Sequence, residues 1–161
     1  MSARFLSLAC AVALAAIPAS AEGRPVFKDG DWVIETPTSL TIRSDGGGNI
    51  AAYAALIDDL GVIEVRIVGV CKSACTMFLG AKNVCVSPDA SLAFHGPDGK
   101  DESIAYLLQL VDQIADHYPP TLARTFREDW GLYQDLTWLT GAELLAMEPG
   151  LRSCAGAEPQ S

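Results

Sequence analysis

The sequence has little positive charge and few histidines. Its 161 residues include 11 Lys and Arg against 20 Asp and Glu, with a formal net charge of −9 at pH 7, and it has only two histidines. An acidic chain is a poor candidate for binding nucleic acid or an anionic lipid surface, because both attract cationic proteins. Histidine-based catalysis has only His95 and His117 as candidates.

Long apolar runs are also missing, except near the N-terminus. Arg4 precedes an apolar segment over residues 5–17, and Pro-Ala-Ser-Ala at residues 18–21 provides an A-x-A cleavage pattern. This order predicts a signal peptide over residues 1–21, which is too short in its apolar part to span a bilayer. We therefore expect an exported protein, periplasmic or secreted, with no membrane attachment after cleavage.

The rest of the chain shows no internal repeat and no linker long enough for a second domain. Its size is that of one domain, and an apolar content of 50% is sufficient for a core. We predict a single domain over residues 22–154, followed by a flexible tail over residues 155–161.

Cysteine is scarce but informative. Of five cysteines, Cys10 lies in the predicted signal peptide, which leaves Cys71, Cys75, Cys85 and Cys154. An even number in an exported chain favours two disulfides, with three ways to pair them. The alternative is a zinc site, for which one pair has ligand-like spacing but the other does not. We expect disulfides, and neither a metal nor a cofactor.

Alternating strand and helix patterns predict a parallel α/β unit. Residues 39–43 alternate like a strand, residues 46–48 are glycines, residues 50–60 carry a helical apolar stripe, and residues 62–70 form a buried strand. This order predicts a right-handed βαβ unit. Further elements are expected in the order strand 84–87, strand 91–95, helix 101–118, helix 121–130, an irregular segment 131–137 and a short helix from Thr140 to Met147.

Ser73 lies where the second buried strand ends and a small-residue helical segment begins. A serine at this position can cap the helix, or it can act as a nucleophile beside free backbone N–H groups. His95 ends another predicted strand, and parallel strands bring their carboxyl ends to one edge of a sheet. With the glycine loop, Ser73 and His95 would supply the donors, nucleophile and base of an acyl-transfer site. From these residues alone, both interpretations of Ser73 stay open.

Four segments resemble, in the same order, motifs of the Clp protease proteolytic subunit. Residues 69–79 resemble the family's nucleophile motif, Phe94-His95-Gly-Pro97 its histidine, Gly47-Gly48-Asn49-Ile50 its glycine loop, and residues 138–143 the stretch after its catalytic aspartate. With the signal peptide and the cysteine-flanked serine, the chain resembles exported Clp-like proteins of bacteria. The resemblance implies an α/β fold, a Clp/crotonase-like ββα superhelix in a single, disulfide-stapled domain.

The resemblance also implies roles for individual residues. Ser73 is expected to be the nucleophile of a serine hydrolase, in particular a peptidase, and His95 its general base and later its general acid. The N–H groups of Ala74 and of Gly47, or of Gly46 in a shifted register, would form the oxyanion hole. The implied substrate is a peptide or protein.

The third member of the triad is less well defined by the resemblance. Asp135 lies three residues before Trp138, where the family's spacing is tighter, and Asp129 is the alternative. If neither carboxylate reaches His95, a Ser–His dyad remains. A Ser–Lys dyad through Lys72 is a further alternative, although adjacent residues in a turn usually point apart.

The chain departs from the family after His95, where the long handle helix and strand are shortened. A Clp-type double ring is therefore not expected, although an oligomer is compatible with the sequence. We expect Cys75 to pair with Cys85 and Cys71 with Cys154, bracing the serine helix against the next strand. The alternative function is a non-catalytic periplasmic binding or interaction domain that keeps the fold.

Overall fold

A computed structural model describes residues 30–36 and 38–154 of the chain. The strands are β1 (Gly30–Thr36), β2 (Ser39–Asp45), β3 (Glu64–Lys72), β4 (Val84–Val86), β5 (Ser91–Phe94), β6 (Thr137–Thr140) and β7 (Arg152–Ser153). The α-helices are α1 (Ile50–Leu60), α2 (Ile104–Ala115), α3 (Pro120–Thr125) and α4 (Gly141–Met147), with a 3-10 helix at Ser73–Gly80 and a π-helix at Phe126–Trp130. The predicted signal peptide and tail lie outside the described residues.

The strands form one mixed sheet, which confirms the predicted α/β class. Strand β1 pairs antiparallel with β2, and β2 pairs parallel with β3. The first half of β3 pairs with β4 and its last residues pair with β5, both parallel. Strand β6 then pairs antiparallel with β5, and β7 pairs parallel with β4. Strand β3 is therefore the centre of the sheet.

The predicted βαβ unit is confirmed as β2–α1–β3. Helix α1 begins after Asn49, whose side-chain oxygen accepts a hydrogen bond from the Ala52 N–H at 3.0 Å. It ends at Gly61, which has a φ of 57° and so takes a conformation that glycine adopts without strain. Tyr53 and Ile57 bury one face of the helix in the core.

Two strands were missed by the periodicity. Residues 131–137 were expected to be irregular, yet Thr137 opens β6, whose existence depends on its pairing with β5. Strand β7 has only two residues, too few to show any alternation. The other elements match in type, with shifted ends: α2 is shorter than predicted, and α3 begins at Pro120, a favoured first helical residue, rather than after a Thr121 cap.

An aromatic cluster in the core supports the end of β5. Phe94 contacts Tyr118 and Trp130, with ring centroids 5.7 and 5.6 Å apart, and Tyr118 contacts Phe126 at 5.2 Å. Phe94 and Phe126 are fully buried. Because Phe94 directly precedes His95, this packing fixes the backbone from which the histidine projects.

All four described cysteines form disulfides, but in a pairing that differs from the expected one. Cys71 pairs with Cys75, and Cys85 pairs with Cys154. The expected Cys75–Cys85 bridge is wrong because Cys75 lies in the first turn of the 3-10 helix, where it stays beside Cys71 at the end of β3. Paired sulfurs also cannot serve as the zinc ligands considered above. Within residues 30–154, apart from residue 37, no helix is long and apolar enough to cross a membrane.

Gly141 allows the start of α4 to touch the loop after β4, and it supplies a test of this packing. A Cβ at this position would overlap the Ser87 carbonyl oxygen, and the Gly141 N–H donates to the Ala90 carbonyl at 2.7 Å. We expect Gly141→Ala to lower the free energy of unfolding by about 2–3 kcal/mol, measured by urea denaturation. Gly150→Ala is the control, because open space surrounds Gly150. Equal stability of the two variants would contradict this close contact.

Candidate functional site

Three parallel strands bring the predicted site residues to the same edge of the sheet. In the register, Asp45 at the end of β2 pairs with Cys71 of β3, and Cys71 pairs with Leu92 of β5. Ser73 follows β3 directly, and His95 follows β5 directly. The glycine loop, Ser73 and His95 therefore leave the carboxyl ends of three neighbouring strands, as predicted for a site at this edge.

Ser73 has a strained backbone. Its φ is 55°, and it is the only residue other than glycine with a positive φ in the described part of the chain. A non-glycine residue in the left-handed region costs roughly 1–3 kcal/mol and is often found where function requires an unusual geometry. A serine in a strained strand-to-helix turn is also the geometry of an exposed nucleophile.

The strained turn is held by a buried hydroxyl chain. Thr76 Oγ1 lies 2.6 Å from the Ser73 carbonyl oxygen and 2.6 Å from the Tyr118 hydroxyl. Because a carbonyl can only accept, Thr76 donates to Ser73 and must accept its second bond from Tyr118. Burial raises the pKa of Tyr118, so this phenol stays a neutral donor.

Gly47 packs directly against the Ser73 turn. Its φ is 86°, and a Cβ on Gly47 would lie 2.6 Å from Ser73 Cβ and 2.9 Å from the Ala74 nitrogen. Only glycine therefore fits at this contact. Gly46, the alternative in the shifted register, has open space around it and does not form this contact.

The Gly47 loop is anchored by a buried carboxylate that the sequence analysis missed. Asp45 Oδ1 accepts from the Gly47 N–H at 2.8 Å, and the Tyr53 hydroxyl donates to the same carboxylate at 2.7 and 2.9 Å. Burial and the neighbouring Asp45 raise the pKa of Tyr53. The Asp-Gly-Gly sequence was a detectable signal, because aspartate often accepts from the backbone two residues on in turns.

This anchor bears on the predicted oxyanion hole. The Gly47 N–H, expected to stabilise an oxyanion, is already bonded to Asp45 in the described conformation. The Ala74 N–H belongs to the first turn of the 3-10 helix, where N–H groups have no acceptor within the helix. Of the two expected donors, Gly47 is therefore the one that would have to leave its present acceptor to bind an oxyanion.

His95 is oriented by the backbone. Its Nδ1 lies 2.6 Å from the Gly96 carbonyl oxygen, and because the carbonyl accepts, Nδ1 carries the proton. In the neutral ring Nε2 is then unprotonated and able to act as a base. The Gly96 N–H donates to the Tyr133 carbonyl at 2.6 Å, and Gln134 Nε2 donates to the Pro97 carbonyl at 2.8 Å. These bonds fix the loop that orients the imidazole.

Neither predicted carboxylate binds His95. Asp135 lies beside the segment that holds Gly96, but its side chain is exposed, and Asp129 is exposed on the π-helix. Among residues 38–154, no hydrogen bond or ion pair joins His95 to Asp135 or Asp129. The group that His95 Nδ1 contacts is the backbone carbonyl of Gly96, not a carboxylate.

The remaining candidates are His117, which is bonded elsewhere, and Lys72, which directly precedes Ser73. His117 Nδ1 contacts the Gln113 carbonyl at 2.9 Å, just beyond the end of α2. Lys72 ends β3 opposite Ala93, and its side chain makes no ion pair with any residue the structure describes. Within the described residues, no three His, Cys, Asp or Glu side chains lie close enough together to hold a metal ion.

Comparison with models of known protein families finds no match. A search of curated proteins also finds no match. Any function assigned to the chain therefore depends on the arrangement of its own residues, above all Gly47, Ser73 and His95.

The contact between Gly47 and Ser73 predicts a large difference between two neighbouring glycines. Gly47→Ala should lower the free energy of unfolding by about 2–3 kcal/mol, because the new Cβ is strained at this φ and overlaps Ser73. Gly46→Ala is the matched control and should change it by less than about 0.5 kcal/mol. Urea denaturation measures both, and equal effects would contradict the contact.

The buried Asp45 predicts a cost for removing its phenol donor. Tyr53→Phe leaves the carboxylate with one fewer donor and should destabilise the protein by about 1.5–3 kcal/mol in thermal or urea unfolding. Tyr133→Phe is the control, because Tyr133 is 65% exposed and its side chain has little to lose. A Tyr53→Phe variant as stable as Tyr133→Phe would show that Asp45 does not depend on this bond.

Proposed function

We propose that the protein is an exported serine hydrolase, acting on peptides or proteins, in which Ser73 is the nucleophile and His95 the general base. The observation that carries this proposal is the strained Ser73 turn, packed against Gly47 at a sheet edge that it shares with His95. A serine that only caps a helix does not need a left-handed backbone, since capping residues normally take extended φ and ψ values.

In the proposed mechanism, Ser73 Oγ attacks the substrate carbonyl while His95 Nε2 accepts the hydroxyl proton. The same imidazolium then protonates the leaving group, giving an acyl-enzyme that water hydrolyses with His95 again as base. The Gly96 carbonyl keeps the proton on Nδ1 throughout and so takes over the orienting task of an aspartate.

Oxyanion stabilisation in this proposal begins with the Ala74 N–H. The second donor comes from the glycine loop, either from Gly46 or from Gly47 once its N–H leaves Asp45. Preorganised donors of this kind typically contribute 10²- to 10³-fold each to the rate. If Gly47 is the second donor, its N–H must first leave Asp45, and we therefore expect a low turnover rate.

The proposal extends to the fold and the compartment. The β2–α1–β3 unit, the turn at Ser73 and the capping box at Thr140 and Glu143 occur in the order expected for a Clp/crotonase-like superhelix. Two disulfides are compatible with an exported chain, since such bridges persist in oxidising compartments. Helix α2 spans 12 residues, and we do not propose a double ring for so short an element.

The alternative function is a non-catalytic binding domain with the same fold. The engaged Gly47 N–H favours it, because a complete oxyanion hole needs more than one free donor. The two functions differ in one respect that can be measured, which is covalent reaction at Ser73.

A fluorophosphonate probe tests this difference. We expect the oxidised protein to be labelled covalently at Ser73, Ser73→Ala to lose all labelling, and His95→Gln to react at least 100-fold more slowly, as loss of a general base typically causes. His117→Gln is the matched control and should react like wild type. Peptide mapping by mass spectrometry locates the adduct, and equal labelling of wild type and Ser73→Ala would leave the binding domain as the function.

A further inference from the structure

We infer that the Cys71–Cys75 disulfide is a positioning device, which holds Ser73 in its left-handed conformation and thereby sets the reactivity of its hydroxyl. This inference rests on the proposed function for the reactivity, although its conformational part does not. The bridge joins residues four apart in sequence, and Ser73 is the middle residue of the segment it closes.

Both ends of this bridge are fixed to rigid elements. Cys71 lies in β3, where its backbone pairs with Asp45 on one side and with Leu92 on the other. Cys75 is the third residue of the 3-10 helix, and both cysteines are fully buried. With a Cα–Cα distance of 5.4 Å between its ends, the closed segment has few backbone conformations available.

The contacts around Ser73 explain which conformation the bridge selects. The Ser73 carbonyl accepts from Thr76, and Gly47 occupies the space beside Ser73 Cβ. Neither contact is covalent, and Ser73 would relieve its strain by returning to a negative φ. The disulfide opposes this relaxation, because a negative φ at the middle of the closed segment would move the helix start away from the end of β3.

The two disulfides among the described residues close loops of very different length, which suits them to different roles. The Cys85–Cys154 bridge joins residues 69 apart and restricts the unfolded chain strongly. The Cys71–Cys75 bridge closes a very short segment and restricts the unfolded chain much less. A bridge with this small effect on the unfolded chain, placed around one strained residue, is suited to local positioning.

A first experiment measures reactivity in bridge variants of the full chain. Two variants remove the bridge, namely Cys71→Ala/Cys75→Ala and Cys71→Val/Cys75→Ala, and the second refills more of the buried volume. The control is Cys85→Ala/Cys154→Ala. We expect the first two to lose at least 10-fold in the maximal rate of fluorophosphonate labelling, with circular dichroism like that of wild type. The control should label at the wild-type rate although it unfolds at lower urea concentration.

A second experiment needs no activity. Ser73→Gly removes the strain of the left-handed conformation but adds freedom to the unfolded chain. With the Cys71–Cys75 bridge in place, we expect Ser73→Gly to leave the urea midpoint unchanged or raise it. Without the bridge, where Ser73 is free to relax, we expect the same substitution to lower the midpoint.

Several outcomes overturn the inference. One is a wild-type labelling rate in a folded Cys71→Ala/Cys75→Ala protein. Another is an equal shift of the urea midpoint for Ser73→Gly with and without the bridge. A third is failure of both bridge variants to fold, because the bridge would then be required for folding as a whole. If wild type itself is not labelled, the proposed function fails and with it the role in reactivity. The midpoint shifts then still decide whether the bridge holds the conformation of Ser73.

Discussion

The close contact between Gly47 and the Ser73 turn is the constraint on which the proposed site depends. It packs the loop after β2 against the first residues of the 3-10 helix, so two chain segments that leave neighbouring strands are in direct contact. The contact requires a glycine on one side and a strained serine on the other. Asp45 below it and Thr76 beside it then supply the hydrogen bonds that keep both backbones in place.

Much of this arrangement could be predicted because it is local. The apolar stripe and caps of α1 gave its ends correctly, and the buried strand before Ser73 placed the turn at the edge of a parallel sheet. The capping box at Thr140 likewise opened α4 where expected. In each case the deciding interaction joins residues that are close in sequence, so the pattern itself contains the information.

The features that the sequence did not reveal depend on contacts between distant segments. Strand β6 exists because β5 offers it a partner, and no periodicity within four residues can show that. The predicted disulfide pairing was wrong for a related reason, because a correct prediction depends on the position of Cys75 beside β3 in the folded chain. The role of the Gly96 carbonyl was hidden as well, because every residue has a carbonyl and only the folded loop shows which one meets His95.

The orientation of His95 changes how an acyl-transfer site in this protein would work. A carboxylate partner fixes the tautomer of a catalytic histidine and also stabilises the imidazolium that forms during the reaction. The neutral Gly96 carbonyl fixes the tautomer but carries no charge with which to stabilise that imidazolium. Asp135 follows Tyr133, whose carbonyl accepts from the Gly96 N–H, but its own side chain is exposed. In the proposed mechanism, the imidazolium would therefore form beside a neutral carbonyl, and not beside the carboxylate of a Ser-His-Asp triad.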